Sequence, residues 1–171
     1  MKDYPLATRW PVPAVPATVS GTRKRVIAQL RLWGVQLDPD TAATLELLAS
    51  ETVTNAVRYA HGAEIEITVA AEPGTVLIAV TDGSTDMPEV RRAREEDESG
   101  RGLFLMQALA TEWGCTTAVG GKTVWLTFGL PPRPGRPPRP ADPRRSGALA
   151  DQARALRVAV QRAFTIRGTT A

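Results

Sequence analysis

Apolar side chains recur along the first 130 residues with two different periods, and each period predicts one kind of element. The helical period of about 3.6 residues is clearest from Pro39 to Tyr59, where Asp38 precedes the proline as a capping residue and Gly62 follows the last turn. The same spacing predicts a shorter helix from Thr22 to Trp33 and a third helix from Leu103 to Trp113.

Strict alternation of polar and apolar residues marks the predicted strands. The alternation is complete from Glu64 to Val69, and a second apolar run spans Val76 to Thr81. The segment Glu72–Gly74 between them has a turn sequence, so the two strands are predicted to pair as a hairpin. A short edge strand is predicted over Leu6–Val12 and a final strand over Thr123–Phe128.

Composition divides the chain near residue 130. Residues 131–147 hold seven prolines and five arginines, which is typical of an extended linker. Residues 148–171 follow as a tail, in which 148–164 has the apolar spacing of a short amphipathic helix. The sequence therefore predicts one domain over 1–130, then the linker and the tail.

The net charge of +3 is unevenly distributed along the chain. Residues 131–171 carry nine Arg and two Asp, a charge of +7, so residues 1–130 carry 3 − 7 = −4. The basic pI describes the tail, and no direct nucleic-acid binding by the domain is expected. The tail itself is open to two interpretations: docking on an acidic protein, nucleic acid or membrane surface, or a solvated extension.

Cysteine and histidine are each represented once, which excludes several kinds of site. Cys115 alone supports neither an internal disulfide nor a cysteine zinc cluster, and His61 alone excludes a site built on several histidines. The first residues lack an apolar signal core, and no apolar run reaches the roughly 20 residues that span a bilayer. These features favour a cytoplasmic protein without a membrane segment.

Three short sequences are candidates for chemistry, and each has a simpler interpretation. Glu51 and Asn55 share one helix face, as a base and a magnesium ligand would, or as an ordinary polar face. Asp82–Ser84 ends a strand and offers an acceptor to a nucleobase amino group, or is only a turn. Gly100 and Gly102 precede a helix, where backbone can approach phosphate, or merely begin that helix.

The order of these sequences is more specific than any one of them. The chain has, in order, a helix with Glu-x-x-x-Asn, a hairpin ending in Asp-Gly-Ser, a polar loop, Gly-x-Gly and a closing Gly-Gly-x-Thr strand. This order resembles that of the histidine-kinase-like ATPase (GHKL) superfamily. The resemblance covers about Leu6–Leu130. Within the superfamily, Ser50–Ala56 and the short spacing between Asp82 and Gly100 are most similar to the anti-sigma factor serine kinases.

The resemblance implies a fold and a site. The fold is a two-layer α/β sandwich, with a mixed sheet and helices on one face. Carried over by position, Glu51 would be the catalytic base, Asn55 would bind Mg²⁺ and Asp82 would accept the adenine amino group. Residues 85–99 would form a lid over the nucleotide. The remaining ATP-binding residues would be Ser84, Gly100, Arg101, Gly102, Leu103 and Thr123.

The resemblance also implies an activity and partners. The chain would transfer the γ-phosphate of ATP to a serine of an antagonist protein and would bind a sigma factor, as a protein serine/threonine kinase that regulates transcription. Members of the family often form homodimers. The alternative is a catalytically inactive module that captures a partner when it binds nucleotide. Tyr59 and Ser84 depart from the family pattern, which often has histidine and usually glycine there.

Overall fold

The computed structural model describes residues 6–84, 101–118 and 121–131 of the chain. The chain forms two compact units, Met1–Leu130 and Pro131–Ala171. The predicted lid, linker and amphipathic tail helix lie outside the described residues. Across the described ranges, no helix is both long and apolar enough to cross a membrane.

Three helices and five strands make up the described part of the first unit. In chain order they are β1 (Leu6–Pro13), α1 (Thr18–Leu32), α2 (Pro39–Tyr59), β2 (Glu64–Glu72), β3 (Thr75–Asp82), α3 (Arg101–Leu109), β4 (Glu112–Ala118) and β5 (Gly121–Gly129). The strands form a single sheet in the order β1-β2-β3-β5-β4. The α/β fold class and the edge position of the first strand are therefore confirmed.

The sheet is antiparallel throughout its described strands, so the expectation of a mixed sheet was wrong. Short connections join β2 to β3 and β4 to β5, and such connections can join only antiparallel neighbours. The pairs β1–β2 and β3–β5 are also antiparallel, across longer connections that contain helices. Strands β2 and β3 are joined at Pro73 and Gly74, and Gly74 takes a φ of 89°, which glycine adopts without strain. The hairpin predicted from alternation is thus confirmed.

Helix α2 begins where the sequence predicts, and its first turn shows why. Asp38 has extended backbone and caps the helix, and Pro39 takes the first helical position. One carboxylate oxygen of Asp38 accepts the backbone N–H of Thr41 at 2.9 Å, and the other accepts the Thr41 hydroxyl at 2.7 Å. The Thr41 backbone N–H is the main cause that lowers the pKa of Asp38.

The helices pack on one face of the sheet, as the resemblance implied. Cross-strand register places Ile67, Val80 and Val124 in one row across β2, β3 and β5. All three belong to the same buried apolar cluster as Leu48 of α2 and Met106 of α3. Burial of this face provides the main driving force for folding.

The third helix is shorter than its periodicity suggested. It ends at Leu109, and the segment from Glu112 onward is strand β4, which the sequence analysis did not predict. The backbone N–H of Thr111 donates to the Thr127 carbonyl at 2.8 Å, so the chain enters the sheet directly after the helix. Pairing with β5 overrides the helical spacing that had placed Trp113 at the helix end.

Candidate functional site

Two strand residues form a buried ion pair on the helix-facing side of the sheet. Asp82 is the last residue of β3, and Lys122 lies directly opposite it in β5. Lys122 Nζ lies 3.3 Å from Asp82 Oδ1, and the two side chains are 1% and 0% exposed. Ser84, also buried, donates its backbone N–H to Asp82 Oδ1 at 2.8 Å. We call Asp82, Ser84 and Lys122 the strand cluster.

The strand cluster contains polar atoms without hydrogen-bond partners among the described residues. Asp82 Oδ2 is buried and accepts no hydrogen bond, and Lys122 Nζ is buried and donates none within hydrogen-bond geometry. Buried polar atoms are nearly always paired, since leaving one unpaired costs about 1–3 kcal/mol. Asp82 Oδ2 and the donors of Lys122 that the ion pair leaves unsatisfied are therefore candidate contacts for a polar ligand.

The glycine before Lys122 allows β5 to approach β3 at this end. A Cβ atom at position 121 would overlap the carbonyl oxygen of Asp82. The close backbone contact therefore requires Gly121, and it sets the position of the Lys122 side chain against Asp82. This glycine belongs to the closing Gly-Gly-x-Thr strand on which the resemblance depended.

The structure does not place Thr123 beside Asp82. Successive strand residues point to opposite faces, and Thr123 faces away from the helices. Its hydroxyl lies 2.8 Å from the hydroxyl of Thr81, its cross-strand neighbour. Lys122 lies beside Asp82 instead, and it is not among the site residues predicted from the sequence. A detectable signal was its spacing, since Lys122 shares the alternation of the core residues Val124 and Leu126.

A second group of polar residues lies where α2 meets the start of α3. Glu51 is half-buried on α2, and a Cβ atom at position 102 would lie only 2.7 Å from Glu51 Oε2. Burial raises the pKa of the Glu51 carboxyl. The structure therefore brings Glu51 close to the second glycine of Gly-x-Gly. We call Glu51, Asn55 and Gly102 the helix cluster.

Asn55 follows Glu51 by one helical turn, and its side-chain amide nitrogen is unpaired among the described residues. Its Nδ2 atom is buried and has no hydrogen-bond partner among the described residues. Mg²⁺ bound to a nucleotide is typically coordinated by waters, phosphate oxygens and only one or two protein oxygens. A single asparagine oxygen is therefore a sufficient protein ligand. No cluster of three or more His, Cys, Asp or Glu residues suited to a metal occurs in the described ranges. The donor set fits a nucleotide-bound metal better than a resident one.

Helix α2 runs from the helix cluster toward the strand cluster. Tyr59 follows Asn55 by one turn of α2, and the Lys122 ammonium is 5.8 Å from the centre of the Tyr59 ring. The last turn of α2 therefore connects the helix cluster with the strand cluster. Leu103 is 7% exposed and packs into the core, so only its backbone can serve a ligand. Gly100 lies outside the described residues, and Arg101 is the first residue of α3.

Comparison with known families agrees with this arrangement. Residues 12–128 match the family described as the histidine kinase-like ATPase domain. The match covers more than half of the chain and includes both clusters, and the chain belongs to this family. No curated protein sequence matches the chain.

A solved structure with the same fold is that of the RsbU and RsbW domains of Rv1364c from Mycobacterium tuberculosis. The two chains superpose with a TM-score of 0.58 at 23% sequence identity, over 77% of this chain and 34% of that chain. This chain thus spans about a third of the length of the solved one. At this identity the likeness establishes the fold.

Proposed function

We propose that the chain binds magnesium-ATP between its two clusters and transfers the γ-phosphate to a serine of an antagonist protein, thereby controlling a sigma factor. The observation that carries the proposal is the contact between Glu51 and Gly102. It brings a carboxylate of raised pKa to the N-terminus of α3. The first backbone N–H groups of a helix have no partner within the helix, and such groups bind phosphate readily.

The residues of the helix cluster fit this chemistry. Glu51 would accept the proton of the serine hydroxyl as the serine oxygen bonds to the γ-phosphorus and the bond to ADP breaks. Burial raises the pKa of Glu51, which makes its carboxylate a stronger base than that of an exposed glutamate. When bound, Mg²⁺ would neutralise charge on the phosphates, and Asn55 would hold it through its side-chain oxygen.

The strand cluster fits the other end of the nucleotide. Asp82 Oδ2 is a buried acceptor without a partner among the described residues, and the 6-amino group of adenine is a matching donor. The Ser84 backbone supports the other carboxylate oxygen, which leaves Oδ2 as the oxygen available to a ligand. Burial strengthens such a hydrogen bond, because the surroundings have a low dielectric constant.

The proposed partner proteins are inferred from similarity to other proteins. Support comes from the similarity of Ser50–Ala56 to the anti-sigma factor serine kinases and from the shared fold with the RsbU and RsbW domains. A sigma factor and a serine-bearing antagonist are the partners that this similarity suggests. The acidic domain, with a charge of −4 over residues 1–130, suits a basic partner surface.

A phosphotransfer assay tests the proposal. The full chain would be incubated with magnesium, ATP labelled on the γ-phosphate and a panel of anti-anti-sigma proteins. We expect label on a serine of one of them, and we expect Glu51→Gln to lower the rate by roughly 100-fold or more, the usual contribution of a general base. Glu64→Gln, at an exposed glutamate of β2, is the matched control and should transfer normally.

The same assay separates the proposal from its alternative. Tight ATP binding without labelled product from any of these proteins would favour a nucleotide-gated module that captures a partner without modifying it. Transfer at an unchanged rate by Glu51→Gln would leave a kinase but remove Glu51 from its mechanism.

A further inference from the structure

The buried lysine of the strand cluster has no role in the function proposed so far. Lys122 is 1% exposed and lies beside Asp82, yet its Nζ makes no hydrogen bond with the described residues. Burying an ammonium group costs several kcal/mol unless its N–H groups are satisfied, and one ion pair at 3.3 Å satisfies them only in part. A lysine placed here for stability alone would be a poor choice compared with an apolar residue.

The position of the spare donors relative to the spare acceptor suggests what they bind. Asp82 offers Oδ2 as an acceptor, and Lys122 Nζ offers donors within a few ångströms on the same face of the sheet. The amino group of adenine is a donor that is flanked by ring nitrogens, which are acceptors. A carboxylate and an ammonium side by side are complementary to that edge of the base.

We propose that Lys122 is a second base-reading residue, whose ammonium donates to a ring nitrogen next to the adenine amino group while Asp82 accepts from the amino group itself. The inference rests on the proposed function, since it requires ATP in this site. Guanine carries an oxygen where adenine carries the amino group, so in the same orientation it would set an acceptor against the carboxylate. The pair would therefore select adenine by attraction and reject guanine by repulsion.

The adjacent threonine does not take this role in the structure. Thr123 points to the opposite face of the sheet and is engaged with the Thr81 hydroxyl at 2.8 Å. Lys122 is the residue that the register sets directly across from Asp82. Gly121 holds this register, because any side chain there would overlap the Asp82 carbonyl.

Nucleotide analogues test the proposal on the natural full chain. Calorimetric titrations would compare the binding of ATP, 1-deaza-ATP and 7-deaza-ATP. In each analogue one ring nitrogen is replaced by a carbon that cannot accept a hydrogen bond. We expect one analogue to bind at least roughly tenfold more weakly than ATP, as for the loss of a hydrogen bond to a charged group. This comparison requires no substitution and stands even if variants fold poorly.

The variant Lys122→Met then assigns the effect. It should weaken ATP binding by a similar factor and abolish the difference between ATP and the sensitive analogue. Lys24→Met, at an exposed lysine of α1, should retain that difference. If the natural chain binds ATP and both analogues equally well, the role of Lys122 is overturned while the proposed function stands. The same holds if Lys122→Met still binds ATP more tightly than the sensitive analogue. Natural chain that binds no ATP would overturn the proposed function together with this inference.

Discussion

The two clusters of the site differ in what holds them in place. The strand cluster lies on neighbouring strands of the sheet, and its charged side chains are completely buried. The helix cluster lies on two helices, and its carboxylate is only half-buried. Strand pairing fixes the first cluster through backbone hydrogen bonds, whereas side-chain packing between α2 and α3 fixes the second. One such contact is the Thr52 hydroxyl 3.5 Å from the sulfur of Met106.

The difference suggests a division of labour within the site. A base-reading group benefits from rigid surroundings, because specificity depends on hydrogen bonds that cannot rearrange. A phosphoryl-transfer group must also admit a protein substrate, and a half-buried helical position permits this. Substitutions in the strand cluster should therefore affect stability and binding together, while substitutions in the helix cluster should affect transfer with little change in stability.

Substitutions of Gly121 and Gly102 test this difference between the two clusters most strongly. In the strand cluster region, Gly121→Ala would drive a methyl group into the Asp82 carbonyl, and the backbone of β3 cannot move aside without loss of pairing. We expect the free energy of unfolding to fall by about 3 kcal/mol, measured by chemical denaturation. Gly62→Ala has open space around its Cβ and is the control, with little change expected. Equal stability of the two variants would contradict the account.

The corresponding change in the helix cluster should have a smaller effect on stability. Gly102→Ala would place its methyl group 2.7 Å from Glu51 Oε2, which is the end of a flexible side chain that can turn away. Because alanine also favours helix over glycine, we expect the free energy of unfolding to stay within about 1 kcal/mol of the natural value. We expect phosphotransfer to fall by roughly tenfold or more, since Glu51 is displaced. Normal transfer by this variant would show that the contact is incidental.

The smallest expected effect is a pH dependence that arises from Glu51. Burial raises its folded-state pKa above the unfolded value, so the native state binds more protons between the two values. Stability should therefore fall as pH rises through this window, and Glu51→Gln should remove that loss. The Gln variant is expected to be at least as stable as the natural chain at neutral pH, and its advantage should vanish in acid below the ordinary glutamate pKa. A Gln variant that is less stable at neutral pH would contradict the assignment.

The elements that the sequence predicted well have local signals. Helix α2 has a capping aspartate, a proline at its first position and a long apolar stripe, and these act within the segment itself. The β2–β3 hairpin has strict alternation and a Pro-Gly turn, which also require no distant contact. Glu51, Asn55 and Asp82 lie on these elements, so their places in the fold could be predicted from the sequence.

The features that were missed depend on distant partners. Strand β4 exists because Glu112–Ala118 pairs with β5, and its short sequence follows a helix whose spacing extended into it. The proximity of Lys122 to Asp82 was not predicted, because it depends on strand register between residues about 40 positions apart, which alternation in either strand alone does not reveal. The face on which Thr123 lies follows from the same register.

Magnesium-dependent ATP binding is the most direct test of the central claim that both clusters serve one nucleotide. Calorimetry would compare the natural chain with Asn55→Ala, each with magnesium and with a chelator. We predict that the natural chain binds ATP tightly only with magnesium and that the variant loses this dependence together with most of its affinity. Binding by Asn55→Ala that equals the natural chain and still requires magnesium would contradict the account.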